Sequence, residues 1–104
     1  MVEIVASATF DRWLRKLKNR RAAARALVRI DRLAANNPGD VKPVGGGISE
    51  LRIDYGPGCR VYFLRERDRL VLLLTGGDKS TQETDIKAAH AIADIWRRTQ
   101  GVHE

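Results

Sequence analysis

One cysteine, two histidines and six aromatic residues (two each of Trp, Tyr and Phe) are all that 104 residues contain of these types. A single cysteine closes no intrachain disulfide, and with so few Cys and His no zinc-type spacing arises. No apolar run approaches the roughly 18 residues that a membrane span needs. Glu3 interrupts a short apolar start and no cleavage pattern follows, so the opening residues do not read as a secretory signal. There is no internal repeat, low-complexity tract or linker, and residues 1–104 read as one domain with room for one modest core. Together these absences point to a soluble protein in a reducing, cytoplasmic setting.

What is abundant is positive charge. The chain holds 19 Lys/Arg against 13 Asp/Glu, a formal net charge of +6. Such a surface suits an anionic partner, either nucleic acid or an acidic protein segment. Nine of these cations lie between Arg12 and Arg32, where Asp31 is the sole acid. They read either as a solvated helix face or as a contact surface for RNA or an acidic partner.

The patterning organises the rest. Leu51 and Ile53 alternate with Glu50, Arg52 and Asp54, which is the period of a half-buried strand. Tyr55-Gly-Pro-Gly58 is turn chemistry, and the alternation resumes with Val61 and Phe63 on one face and Arg60 and Tyr62 on the other. A hairpin therefore gathers Glu50, Arg52, Arg60 and Tyr62 on its polar face. Leu70 to Leu74 lacks alternation, which predicts a central strand covered on both faces. Before the hairpin, Gly45-Gly-Gly47 reads as a flexible connector. No Gly-Lys-Ser/Thr follows it, so it is not a P-loop.

Helices flank these strands. Val2 to Val5 reads as a strand, followed by a first helix capped at Thr9 with Phe10, Trp13, Leu14 and Leu17 on one face. A second helix spans Ala22 to Ala35, with Ala23, Leu27, Ile30 and Ala34 inward, and ends at Asn36-Asn-Pro-Gly-Asp40. Ser80-Thr-Gln-Glu83 has the form of a capping box for a last helix reaching about Arg98. Its inward face carries Ile86, Ala89, Ala93 and Trp96, with Ile92 and Ile95 flanking and His90 on the surface. Gly101 to Glu104, which includes His103, reads as a frayed tail. The order strand, helix, helix, three strands, helix predicts an α+β fold. It is a mostly antiparallel four-stranded sheet with a helical hairpin on one face and a C-terminal helix.

Two motifs carry a resemblance. Glu50-Leu-Arg-Ile-Asp-Tyr-Gly-Pro-Gly-Cys-Arg-Val-Tyr-Phe63 and Leu72-Leu-Leu-Thr-Gly-Gly-Asp-Lys-Ser-Thr-Gln82, followed by Asp85, Ile86 and Ala89, closely resemble the HigB-like addiction-module killer proteins of the RelE/ParE toxin superfamily. The likeness extends to Phe10, Trp13 and Leu14. It implies a bacterial or phage-derived toxin of a type II toxin–antitoxin module. The RelE branch implies metal-independent cleavage of mRNA on the ribosome, with no cofactor. The ParE branch implies non-enzymatic binding of DNA gyrase. Either branch implies a cognate antitoxin, often a helix-turn-helix protein. Cys59 departs from the tyrosine usual before the hairpin arginine, which leaves open a weakened member that mainly binds its antitoxin. As a small apolar residue, cysteine also fills a packing position.

RNA cleavage through the 2′-hydroxyl needs a proton acceptor, charge to stabilise a phosphorane-like transition state, and a proton for the leaving oxygen. Arg60 matches the hairpin arginine of the family and would grip the phosphate in a planar, bidentate way. Arg52 across the hairpin and Lys79 after the central strand complete the expected catalytic set. Ordinary alternatives stand beside them: a cross-strand ion pair for Arg52 and a plain turn lysine for Lys79. Glu50, Tyr62 and Gln82 are assigned to RNA contact. Glu50 also reads as a base or as a structural salt-bridge partner, and Tyr62 as a stacking platform or a half-buried strand residue.

Overall fold

A computed structural model describes residues 2–56 and 58–102, of which 100–102 are described as backbone only. Pro57 of the hairpin turn, and His103 and Glu104 of the expected tail, lie outside the described residues. The elements in chain order are β1 (Glu3–Ala6), α1 (Ala8–Lys16), α2 (Arg20–Ala34), β2 (Val41–Pro43), β3 (Ile48–Ile53), β4 (Cys59–Glu66), β5 (Leu70–Gly77), a 3-10 turn (Lys79–Thr81) and α3 (Gln82–Val102).

The α+β class is as expected, but the sheet is mixed and has five strands, in the order β1-β5-β4-β3-β2. β1 runs parallel to β5, and the other neighbours are antiparallel. The additional strand is β2, which pairs Val41, Lys42 and Pro43 with Leu51, Glu50 and Ser49. Its three residues are too short for periodicity, and its proline is tolerated because the strand lies at the sheet edge. The triple glycine is therefore a hairpin turn. Gly45, Gly46 and Gly47 all have φ between 61 and 93°, a left-handed run that only glycine adopts without strain.

Helix starts differ from the expected positions for local reasons. Ser7, not Thr9, caps α1. Its Oγ accepts from Phe10 N at 3.0 Å and donates to Leu74 O at 2.6 Å, which pins the helix start to β5. Asn19 caps α2 by accepting from the backbone of Arg21 and Ala22, and so divides the basic stretch. Asp78, not Ser80, makes the capping box before α3. Its carboxylate accepts from Ser80 N at 2.8 Å and Ser80 Oγ at 2.6 Å, and these bonds hold its pKa below the ordinary value.

The sheet is covered on both sides. Phe10, Ala22, Ala26, Ile30 and Leu33 of α1 and α2 pack on Leu51, Ile53, Val61, Phe63, Val71 and Leu73. Ala89 and Ala93 of α3 pack on the opposite face against Ile48, Tyr62, Leu64, Leu72 and Leu74. Leu70 to Leu74 is buried throughout, as its unalternated apolar run implies, although β4 rather than β5 takes the centre. Leu27 is not inward. It stands 48% exposed beside Val28, at the margin of a stripe centred on Ala22, Ala26, Ile30 and Leu33, whereas Ala23, Ile30 and Ala34 are buried as expected. Ile95 of α3 is exposed too, and His90 is half-buried rather than superficial. Among the described residues no helix is long and apolar enough to cross a membrane.

Candidate functional site

The hairpin register decides which polar groups meet. Arg52 of β3 stands directly opposite Arg60 of β4, and Glu50 opposite Tyr62. Two like charges facing each other across strands are unfavourable. Each arginine here has its own carboxylate. Arg52 donates from Nη2 and Nε to Asp40 Oδ1 at 2.8 and 3.1 Å. Arg60 Nε lies 3.3 Å from Glu50 Oε1.

The two pairs sit in different media. Arg52 and Asp40 are 41% and 55% exposed, whereas Arg60 and Glu50 are 11% and 1% exposed. Exposed pairs contribute little and are screened by salt; a buried pair is strongly coupled, since breaking it strands a charge. Asp40 raises the Arg52 pKa, first through its hydrogen bonds and then through its charge.

Above the hairpin lies a cleft of about 530 Å³, lined by Asp40, Arg52, Asp54, Gly58, Cys59, Arg60 and Lys79. The three expected cations thus line one cleft. Lys79 reaches it from the 3-10 turn after β5, and its stem lies along the hairpin turn. A Cβ on Gly58 would come within 3.3 Å of Lys79 Cε. Gly58 also has φ +85°, so this turn position favours glycine for conformation as well as space. Among the described residues Lys79 makes no ion pair.

The residues expected to touch RNA are placed differently. Tyr62 has no exposed surface, so its ring offers no face for a base. Its hydroxyl makes no well-formed hydrogen bond among the described residues. Burial, followed by the negative charges of Glu50 and Asp85, pushes the phenol pKa well above its ordinary value. Glu50 lies beneath the cleft, where its Oε2 accepts from Gln82 Nε2 at 2.8 Å. Neither Glu50 nor Gln82 lines the cleft. Strand alternation correctly puts Glu50 and Tyr62 on the polar face, but α3 covers that part of the face.

Two contributors were not evident from the sequence. Asp40, which reads as part of a helix-ending loop, is the partner of Arg52. Arg29, which reads as a surface cation of α2, donates to Arg52 O at 2.7 Å and Pro38 O at 2.9 Å, fastening the end of β3 to the loop that carries Asp40. A basic residue seven positions before a helix-terminating Asn-Asn-Pro-Gly is too common a pattern to reveal that role. Cys59 is 6% exposed, and burial raises its thiol pKa, as suits a packing residue. Beside it, a second hollow of about 360 Å³ lies between α1 and the end of β5, with Trp13 and Tyr55 in its wall. Among the described residues no three His, Cys, Asp or Glu converge as a metal site would require.

Comparison with known proteins covers most of the chain. A family model described as "Phage derived protein Gp49-like (DUF891)" matches residues 12–97. A protein of Haemophilus influenzae, described as an uncharacterized protein, is 54% identical over 92 residues, covering 88% of this chain and 93% of the relative.

Proposed function

We propose, from the premise that the chain belongs to the phage-derived Gp49-like family, that it is the toxin of a type II toxin–antitoxin module. Its activity in this reading is HigB-like, within the RelE/ParE superfamily: cleavage of mRNA on the ribosome, in the cytoplasm, without a metal. The observation that carries this reading is the meeting of Arg52, Arg60 and Lys79 around one cleft. A phosphate seated there gains a planar donor from Arg60, a second guanidinium across the hairpin, and the compact point charge of Lys79. Such fixed cations favour the transition state because its phosphate carries more charge than the ground state.

Glu50, buried and paired, is replaced as proton acceptor by Asp54. Asp54 lines the cleft, is exposed, and makes no ion pair among the described residues. The antitoxin docks on the basic helical surface. There Leu27 and Val28 stand exposed, and a groove of about 310 Å³ runs between Arg25, Arg29, Arg32 and Ile53. Apolar residues flanked by arginines fit an acidic, amphipathic segment better than bare RNA.

The cleft holds no closely spaced acid–base pair, and that feature favours a second reading: a ParE-type toxin that binds gyrase and cuts nothing. A cell-free bacterial translation extract separates the two. With purified protein, primer extension finds new mRNA ends that arise only during translation, and Lys79→Ala lowers their rate by about 10²–10³-fold, the usual loss for one transition-state donor. Intact mRNA with normal translation overturns the nuclease reading and directs the next assay to DNA supercoiling.

A further inference from the structure

Among the described residues Glu50 is the buried charged group beside the cleft, with 1% of its surface exposed. Lys, Glu, Arg and Asp are almost never fully buried unless paired, so its burial asks for a reason. Its two oxygens divide between two elements. Oε1 lies 3.3 Å from Arg60 Nε, on the neighbouring strand. Oε2 accepts at 2.8 Å from Gln82, the first residue of α3.

Gln82 directly follows the turn Lys79–Thr81. That turn is otherwise held by short-range bonds: Asp78 caps it, and Thr81 Oγ1 donates to Asp85 Oδ2 at 2.5 Å. The Gln82–Glu50 bond spans 32 positions and ties this turn to the hairpin. The Tyr62 ring, cross-strand from Glu50, is wholly buried.

We infer that Glu50 is the positioning residue of the cleft, fixing the Arg60 guanidinium directly and, through Gln82, registering the turn that carries Lys79. A single buried side chain then sets the spacing of two cations that come from different parts of the chain. Its functional consequence rests on the proposed reading of the cleft as an RNA-cleaving site; the positioning itself does not. Glu50 is assigned no proton transfer here, since it does not line the cleft.

The test has two arms on the full chain. In the first, exchange of the Arg60 Nε–H with solvent is followed by ¹⁵N NMR. Glu50→Gln speeds it by about tenfold, because the buried carboxylate charge 3.3 Å from Nε no longer holds the guanidinium in place. Gln82→Leu leaves Arg60 protected but speeds amide exchange over Lys79–Thr81, and it keeps the buried ion pair, so it remains informative if Glu50→Gln unfolds. Unchanged exchange at Arg60 in folded Glu50→Gln, or at Lys79–Thr81 in Gln82→Leu, overturns the inference.

In the second arm, mRNA cleavage by Gln82→Leu falls in kcat while KM stays within about twofold, as for a misplaced transition-state contact. A loss confined to KM overturns the inference. If the wild-type chain cleaves nothing, the nuclease reading fails and the exchange data alone decide the positioning.

Discussion

The two faces of this sheet are built from alternate residues of the same strands, yet they do different work. Under α1 and α2, residues Leu51, Ile53, Val61 and Phe63 meet apolar side chains along the whole strand length. Under α3 the same strands begin alike, with Ile48, Leu64, Leu72 and Leu74 against Ala89 and Ala93. Then the cover stops. Where α3 begins at Gln82, the face passes from apolar packing to a buried ion pair and then to an open cleft. The first face stabilises by burial alone; the second spends part of its core on polar groups that aim charge outward. The lesson is that the cleft is the unfinished end of a core, so its geometry depends on packing beneath it.

Arg60→Ala tests this dependence most severely. It leaves Glu50, 1% exposed, as an unpaired buried charge, and the expected cost is about 3–5 kcal/mol in thermal or urea unfolding. Adding Glu50→Gln recovers much of that loss, because a neutral amide tolerates the site better. On the other face Leu51→Ala costs about 2–5 kcal/mol, and no neutralising partner exists to restore it. Equal losses without recovery in the double variant would break the comparison. An activity assay on Arg60→Ala alone would confound chemistry with folding.

Next in size is Gly76→Ala. Gly76 lies in β5 against the Trp13 ring, and an added Cβ would overlap it. Displacing the ring costs about 1–3 kcal/mol, as overpacking does. The same measurement on Gly56→Ala meets no steric neighbour among the described residues, though its φ of +60° adds backbone strain.

Much of the first face can be read in the sequence and much of the second cannot, for a physical reason. The alternation of Leu51, Ile53, Val61 and Phe63 is local, and so is the unbroken run Leu70–Leu74; both report burial directly. Arg52, Arg60 and Lys79 are legible as a set because the hairpin and the turn after β5 are both local motifs. Burial of Glu50 and Tyr62 is not local. It follows from where α3 crosses the sheet, 32 residues further along in the case of Gln82. Likewise β2 is three residues containing a proline, and its register puts Asp40 beside Arg52 only in the folded sheet. Leu27 misleads because it lies at the margin of the stripe, beside the buried Ala23 and Ala34, where apolar character alone does not fix which side it takes.

Alkaline pH sharpens the contrast by a smaller effect. Tyr62 and Cys59 both have pKa values raised by burial, from ordinary values of 10.0 and 9.0. The folded state therefore holds these protons more tightly than the unfolded chain does. Their contribution is full below the ordinary values and is lost as pH rises through and beyond them. Stability measured by urea unfolding falls above about pH 9–10, and Tyr62→Phe removes the tyrosine share of that slope. An identical alkaline slope in Tyr62→Phe would mean that the phenol does not titrate from a buried position.

The smallest effect on stability is expected at the rim. Lys79 is exposed and makes no ion pair among the described residues, so Lys79→Ala changes unfolding free energy by no more than about 0.5 kcal/mol. Its stem, which runs beside Gly58, is lost with it. Under the proposed nuclease reading, this is the substitution that slows cleavage most cleanly. If the cleft is the open end of a core, function and stability should separate at Lys79 and coincide at Arg60. Measured melting and cleavage for the two variants place both residues on that scale. A destabilised Lys79→Ala, or an Arg60→Ala as stable as wild type, would mean that the boundary between core and cleft lies elsewhere.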